Sequence, residues 1–328
     1  MPKTGLVVSG GSAKGAFAVG VAQRLQENLD IKFDLVAGAS TGAIIAPLVI
    51  TDELSVLEEL YSTFSTRAIL MERNPLDIIR TGSVFETSAL RNILEDIYTE
   101  ERWEKIRTSD KQMFITTVNL QSGRVVHFYT GADAQTDQDS DLIRITSRDM
   151  LLDSVFASAM QPVIMPTVLI GDDQYVDGGV KEAFPVKIVI DNGAEEIYGV
   201  ALTAENEQAD DDRFNDLVQV LKRTIDLFSQ EVMLNDIRAA ELYNKAVLYL
   251  EEVKRGLKGA FPGEAQKIDE TLAQLQPQNP FADTRVVKLH VIRPKEKLIK
   301  DSLRFNQADM RRMLRLGGKR VDELFPIT

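Results

Sequence analysis

The 328-residue sequence contains no cysteine, only two histidines and a single tryptophan. Without cysteine the chain has no disulfide framework, no thiolate metal site and no cysteine nucleophile, which fits a reducing compartment. Long apolar runs are also missing: the longest, AIIAPLVI at residues 43–50, falls far short of the ~20 residues of a membrane span. Because no secretory signal is visible either, the sequence predicts a soluble, cytoplasmic protein.

Positive charge is scarce and unevenly distributed. The chain has 38 Lys and Arg against 50 Asp and Glu, a formal net charge of −12 at pH 7, which argues against nucleic acid as a partner. Residues 285–320, however, hold twelve Lys or Arg and three Asp or Glu, a net charge of +9. In NQADMRRMLRLGGKR the cations alternate with Met and Leu. This pattern indicates either a helix packed on the acidic body or a face for peripheral contact with anionic membrane.

Strand and helix patterns alternate from the N-terminus, as in a parallel sheet that is covered by helices on both faces. TGLVVSGG and FDLVAGAS indicate buried strands, and each is followed by an apolar helix. A hairpin is predicted at residues 121–123, and a further buried strand at 195–202. Residues 204–284 read as a helical segment, a candidate lid. Residues 285–318 read as a closing strand and helix, with the helix ending at Gly317 and Gly318.

Residues 38–42, Gly-Ala-Ser-Thr-Gly, form the G-x-S-x-G pattern that holds a nucleophilic serine on a sharp turn between a strand and a helix. The pattern alone is weak evidence, since an ordinary tight turn can carry the same residues. Its position favours a nucleophile, because it lies where an apolar strand meets an apolar helix. Ser40 would then lie at a helix N-terminus, where backbone N–H groups favour negative charge.

Two further loops offer the partners that a nucleophilic serine needs. SGGSAKGAF, residues 9–17, combines backbone N–H groups with Lys14 in an anion cradle, which beside Ser40 would serve as an oxyanion hole. The Asp177-Gly178-Gly179 loop offers a carboxylate that can accept the Ser40 proton without an imidazole. Taken singly, the first loop is equally explained as a glycine-containing turn, and an Asp-Gly pair is most often just a turn.

These three motifs, in this order, resemble the patatin-like phospholipase family, lipid acyl hydrolases related to cytosolic phospholipase A2. The similarity covers roughly residues 5–202 and includes the stretch ASAMQPVIMPTVLIGDDQYVDGG at 157–179. Lys14 stands where the family often has arginine, and Ser12 replaces a usual glycine. The resemblance implies one α/β domain over residues 1–328, a three-layer α/β/α sandwich with a mainly parallel sheet and its catalytic core at 5–202.

The resemblance also implies the roles of individual residues. Ser40 would be the nucleophile and Asp177 its proton acceptor, with no metal and no cofactor. The implied oxyanion hole lies in the first loop, at Gly10, Gly11, Ser12 and Lys14. The remaining motif positions are glycines: Gly15, Gly38, Gly42, Gly178 and Gly179. The implied substrate is a lipid ester, namely a phospholipid, a lysophospholipid or an acylglycerol.

Two other functions stay open on the residues alone. The order Ser40, Asp177, His290 matches the triad order of α/β-hydrolases, although His290 and His127 both lie inside predicted strands. A catalytically silent lipid-binding protein on the same fold is the second alternative. The retention of Ser40 and Asp177 favours an enzyme. The acidic run at 210–212 lacks the spacing and the glycine of a calcium loop, so we interpret it as a solvated loop.

Overall fold

The computed structural model describes residues 2–63, 65–206, 213–275, 277, 279 and 285–326, so the acidic run at 210–212 lies outside the described residues. The strands of the described part are β1 (Lys3–Val8), β2 (Leu35–Ala39), β3 (Met71–Glu72), β4 (Phe85–Glu86), β5 (Gln112–Asn119), β6 (Val125–Thr130), β7 (Ser140–Arg144), β8 (Val168–Ile170), β9 (Asp173–Asp177), β10 (Ala194–Val200) and β11 (Lys288–Ile292). Its α-helices are α1 (Gly15–Gln23), α2 (Thr41–Ile50), α3 (Leu54–Thr63), α4 (Thr66–Ile69), α5 (Pro75–Thr81), α6 (Ser88–Ile97), α7 (Glu100–Arg107), α8 (Arg148–Ala159), α9 (Val186–Asp191), α10 (Leu217–Ala260), α11 (Ala265–Leu275) and α12 (Gln307–Leu324).

A nine-stranded sheet forms the centre, in the order β11-β10-β1-β2-β5-β6-β7, with β9 beside the end of β5 and β8 beside β9. The five strands from β11 to β5 are parallel. β6 is antiparallel to β5 and joins it in the predicted hairpin, while β7 is parallel to β6. The sheet is therefore mainly parallel, as the sequence predicts.

Two hydrophobic clusters lie on opposite faces of this sheet, because successive strand residues point to opposite sides. Leu6 and Val8 of β1 join the cluster formed with α1, α2 and α12. Val7, between them, joins the cluster formed with α9 and the middle of α10. Helices thus cover both faces, and the three-layer α/β/α architecture is confirmed.

The direction in which strands are added to the sheet reverses at β1. From β1 the chain moves to β2 and later β5 on one side, whereas β10 and β11 are added on the other side. In open α/β sheets, the crevice at the carboxyl ends of the strands beside such a reversal is the usual place for ligands. The loops after β1, β2, β10 and β11 all lie at this edge.

The predicted end of the closing helix is wrong. α12 continues through Gly317 and Gly318 to Leu324. A side-chain carbon at Gly317 would overlap the carbonyl oxygen of Phe17, and one at Gly20 would overlap that of Leu314. These glycines let α12 and α1 cross at close range, so Gly317 acts as a packing residue and not as a helix stop.

Other boundaries differ less. The helical pattern over residues 54–68 corresponds to two helices, α3 and α4. The helix predicted over residues 15–29 is α-helical only as far as Gln23 (α1), and a π-helical segment follows at Arg24–Asn28. Residues 204–284 contain α10 and α11, and whether they act as a lid stays a prediction. Across the described ranges, none of the helices has the length and apolar composition needed to cross a membrane.

Candidate active site

Ser40 occupies the sharp turn between β2 and α2. It is the N-cap residue of α2 and has φ 55° and ψ −119°, a backbone conformation that non-glycine residues rarely adopt. Ser40 is 7 % exposed. Ser40 thus lies at the carboxyl edge of the sheet and lines a pocket there, in the kind of turn that holds a nucleophilic serine.

Tight packing around the turn explains the glycines of the motif. A side-chain carbon at Gly38 would overlap the backbone of Gly42, and one at Gly42 would overlap the carbonyl oxygen of Val8. Gly15, in the first turn of α1, packs in the same way on the Thr41 hydroxyl. The turn can therefore form only where these positions carry no side chain.

A buried serine that the sequence analysis missed supports the turn. Ser158 in α8 accepts the Ser40 N–H at 2.9 Å and donates its own hydroxyl to the Thr116 carbonyl at 2.7 Å. These two hydrogen bonds connect α8, β5 and the strained residue. Ser158 belongs to the stretch 157–179 that resembles the family, but nothing in the sequence distinguishes it from the other serines.

Asp177 ends β9 next to Ser40. Its backbone is held by a hydrogen bond from its N–H to Met160, and its Oδ1 accepts the N–H of Gly179 at 2.8 Å. Asp177 is 5 % exposed, and this burial raises its pKa to about 6. Hydrogen bonds from the Gly179 N–H and the Ser40 hydroxyl act in the opposite direction and lower the pKa. The carboxylate is therefore mainly ionised at neutral pH and lies within hydrogen-bonding reach of the serine.

The glycine loop after β1 passes directly beside Ser40. A side-chain carbon at Gly10 would lie 3.3 Å from Ser40 Cβ, and Ser12, with φ 49°, lines the pocket that contains Ser40. The Gly10 N–H donates to Ala183 O, so it is not directed at a reacting carbonyl. Within the described part of the chain, the N–H groups of Gly11 and Ser12 donate to no acceptor.

Lys14 does not lie where the sequence analysis expected it. Its N–H donates to Gly11 O, and its side chain lines a different cavity, on the α10 side of the glycine loop. Of the four residues assigned to the oxyanion hole, only Gly11 and Ser12 retain N–H groups without an acceptor among the described residues. Gly178, on the opposite side of the site, packs on the carbonyl oxygen of Thr116.

The two histidines are engaged elsewhere. His290 in β11 hydrogen-bonds to Glu196 at 2.9 Å and stacks on Tyr198. Its strand is three strand spacings from β2, about 14 Å, so His290 does not reach Ser40. His127 is buried, with Nδ1 3.1 Å from the Thr116 hydroxyl and Nε2 3.2 Å from the Glu182 carboxylate. Neither ring forms a hydrogen bond with Ser40.

An apolar pocket opens beside Ser40. Its volume is about 540 Å³ when the open mouth is included. The pocket is lined mainly by hydrophobic side chains from several helices and from the loop before α12, among them Ile44, Leu60, Leu70, Leu94, Met165 and Phe305. Such a lining suits a hydrocarbon chain. Among the described residues, no group of His, Asp and Glu is arranged to hold a metal ion.

The family model of the patatin-like phospholipases matches residues 6–190, more than half of the chain. The chain belongs to the patatin-like phospholipase family. A cUMP-AMP-activated phospholipase of Escherichia coli is 29 % identical to it over 105 residues, which are 31 % of this chain and 30 % of that protein. The match thus spans less than a third of the relative's length.

Among solved structures, the crystal structure of VipD from Legionella pneumophila is similar to this chain with a TM-score of 0.42 and 14 % sequence identity. That alignment covers 98 % of this chain and 66 % of VipD.

Proposed function

We propose that this patatin-like protein is a lipid acyl hydrolase that cleaves carboxylic esters through an acyl-Ser40 intermediate. One observation carries the proposal: a serine on a positive-φ turn interacts with a buried carboxylate, Asp177, at the head of an apolar pocket. Because neither histidine forms a hydrogen bond with Ser40, the carboxylate is the base that the site offers. A Ser–Asp dyad is therefore favoured over a triad.

In the first step, Ser40 Oγ attacks the ester carbonyl while Asp177 takes the hydroxyl proton. The negative charge that develops on the carbonyl oxygen would be stabilised by the N–H groups of Gly11 and Ser12 and by the positive end of the α2 dipole. When the tetrahedral intermediate collapses, the C–O bond breaks and protonated Asp177 returns the proton to the leaving alcohol. Asp177 then activates the water that releases the fatty acid from Ser40.

The lining of the pocket supports a lipid ester as the substrate class. Its hydrophobic lining would bury an acyl chain, with a gain of about 25 cal/mol for each Å² of apolar surface removed from water. A phospholipid, a lysophospholipid or an acylglycerol all supply such a chain next to an ester carbonyl. Ser12 of the glycine loop lines the pocket beside Ser40, and Asp177 hydrogen-bonds to Ser40 at the same end.

Access to a lipid surface would be peripheral and electrostatic. In α12 the apolar side chains Met310, Met313 and Leu314 are buried, whereas Arg311 and Arg315 are exposed. The helix is therefore packed on the body by its apolar side, and its exposed cations remain able to contact anionic headgroups.

The decisive experiment compares Ser40→Ala with Ser62→Ala, which removes a hydroxyl in α3 outside the site. We expect Ser40→Ala to lower hydrolysis of a short p-nitrophenyl ester by at least about 10⁴-fold, since the variant lacks the hydroxyl that would form the acyl intermediate. Circular dichroism should show both variants folded, and a fluorophosphonate probe should label only the Ser62→Ala protein. A wild-type protein that is neither labelled nor active on a lipid panel would indicate the silent lipid-binding alternative.

A further inference from the structure

A second cavity lies on the other side of the glycine loop from the Ser40 pocket. Its volume is about 420 Å³ including the open mouth, and it shares no lining residue with the first cavity. Its walls are Lys14 after β1, residues 202–204 after β10, the segment 297–302 after β11, and one side of α10. It thus occupies the crevice between β1 and β10, where the order of strands in the sheet reverses.

Cations outnumber carboxylates among the described residues that line this cavity. Lys14, Arg223, Lys297 and Lys300 line the cavity and carry positive charge, whereas Asp226 lines it with a carboxylate and Asp301, in the segment 297–302, lies near enough to act on Asp226. Burial raises the pKa of Asp226, and the nearby Asp301 acts in the same direction, whereas Lys14, Arg223 and Lys297 act in the opposite direction and lower it. The cations of three separate segments therefore converge on one small volume.

The walls are built by specific contacts that hold these segments in place. Arg293 donates to the carbonyl oxygens of Thr203 and Ala204, and Arg312 donates to that of Leu298. The Ala13 N–H donates to the Ser302 carbonyl at 3.0 Å, which joins the cavity wall to the glycine loop. Consequently the cationic side chains project from a backbone that is fixed in the folded protein.

We propose that this cavity binds a phosphate group, as a phosphomonoester or phosphodiester, next to the glycine loop. Lysine ammonium groups and an arginine guanidinium are the side chains that recognise phosphate oxygens in proteins. The Ser302 and Thr203 side chains and Gln230, which also line the cavity, add polar groups for the remaining oxygens. A phosphate bound in this cavity would place negative charge beside Lys14, which belongs to the same loop as Gly11 and Ser12.

The test measures binding of inorganic phosphate by titration calorimetry at constant ionic strength, with Ser40→Ala protein so that turnover plays no part. Arg223→Gln combined with Lys297→Gln should weaken binding by about tenfold for each cation removed. The matched control is Lys245→Gln combined with Arg255→Gln, two exposed cations on the distal half of α10, which should bind like the parent. Equal affinity of both double variants would overturn the proposal.

A second variant does not depend on a loss of binding. Asp226→Asn removes a lining carboxylate and should tighten phosphate binding several-fold, an outcome that a misfolded protein cannot mimic. Unchanged or weaker binding by folded Asp226→Asn protein would also overturn the proposal. Because the readout is binding, its failure leaves the esterase assay of Ser40 untouched, and the two proposals can fail separately.

Two sources of the phosphate are distinguished by activity, a step that rests on the proposed lipid hydrolase function. If the phosphate belongs to the substrate headgroup, the Arg223 and Lys297 double variant raises KM for phosphatidylglycerol more than KM for dioleoylglycerol. If it belongs to a separate soluble compound, added phosphate changes turnover of p-nitrophenyl butyrate by the wild-type protein. Either result, together with the binding data, identifies whether the cavity binds the phosphate of the substrate or that of a separate compound.

Discussion

Helices α2 and α10 both lie beside the site, but they are held there in different ways. α2 buries nine of its ten residues and packs on β1 and β2, directly after Ser40. α10 has 44 residues and buries only Met233, Ile237 and Ala240. Close packing therefore determines the position of Ser40, the proposed nucleophile, whereas a few side chains determine the position of α10.

Two buried carboxylates show the same difference. Asp177 ends a core strand, whereas Asp236 lies on α10 and accepts the N–H groups of Ala183 and Phe184, at 3.0 and 2.9 Å. Burial raises the pKa of both, to about 6 for Asp177 and to about 8 for Asp236. Only Asp177 interacts with Ser40. Asp236 ties α10 to the segment that follows the Asp177 loop, so the two carboxylates have separable roles.

The largest expected effect is a difference in activity between variants of these two carboxylates. Asp177→Asn should lower kcat for a short ester by about a thousandfold or more, because the amide cannot accept the Ser40 proton. Asp236→Asn should retain most of the activity, because its amide oxygen can still accept a backbone N–H. Steady-state kinetics on both folded variants provides the measurement.

His290→Ala is the control for the triad alternative and should leave kcat nearly unchanged, since His290 hydrogen-bonds to Glu196 at the far side of the sheet. If His290→Ala inactivates the enzyme while Asp177→Asn retains activity, the dyad is wrong.

The next prediction compares how matched Gly→Ala substitutions in α2 and α10 change the free energy of unfolding. Gly42→Ala in α2 should destabilise the protein by about 3 kcal/mol, because the new carbon overlaps the Val8 carbonyl oxygen. Gly256→Ala in α10 meets no atom within 4 Å and should stabilise the protein by about 1 kcal/mol through higher helix propensity. Urea unfolding measures both. Similar changes in unfolding free energy would show that the two helices are packed alike.

The turn at Ser40 and helix α2 could largely be predicted from the sequence, because the residues that specify them are adjacent in the chain. An apolar strand, G-x-S-x-G and an apolar helix follow one another directly, so Ser40 could be assigned to the turn. Asp177 required the family resemblance, since an Asp-Gly pair by itself indicates only a turn. The parallel sheet followed from the alternation of strands and helices.

The parts that could not be predicted depend on contacts between distant segments. Lys14 is four residues from Gly10, in a loop that the sequence analysis assigns to one site, yet Lys14 lines the second cavity. Ser158 supports Ser40 from 118 residues away. Gly317 has the same local signal as a helix stop, and only the crossing of α12 with α1 gives it another role. Such roles are set by tertiary packing, which a single sequence does not display.

The pH dependence of activity should report the burial of Asp177. Only the ionised carboxylate can accept the Ser40 proton, and its pKa lies at about 6. We expect kcat/KM for a neutral soluble ester to fall by about tenfold for each pH unit below 6 and to level off above 7. Asp236→Asn should show the same profile. A midpoint near 4, the usual value for an exposed carboxylate, would mean that Asp177 is solvated in the working enzyme.

The smallest effect concerns the surface that would meet the lipid, where α12 can be compared with the distal half of α10. Arg311 and Arg315 are exposed on α12, and Lys245 and Arg255 are exposed on α10. A cation that reaches anionic headgroups contributes about 1 kcal/mol, and this attraction is screened over roughly 8 Å at physiological salt. Arg311→Glu with Arg315→Glu should therefore weaken sedimentation with phosphatidylglycerol vesicles without changing turnover of a soluble ester. The same reversal at Lys245 and Arg255 should have little effect if α12 is the docking face. Equal losses in both double variants would instead assign the attraction to the overall charge of the protein.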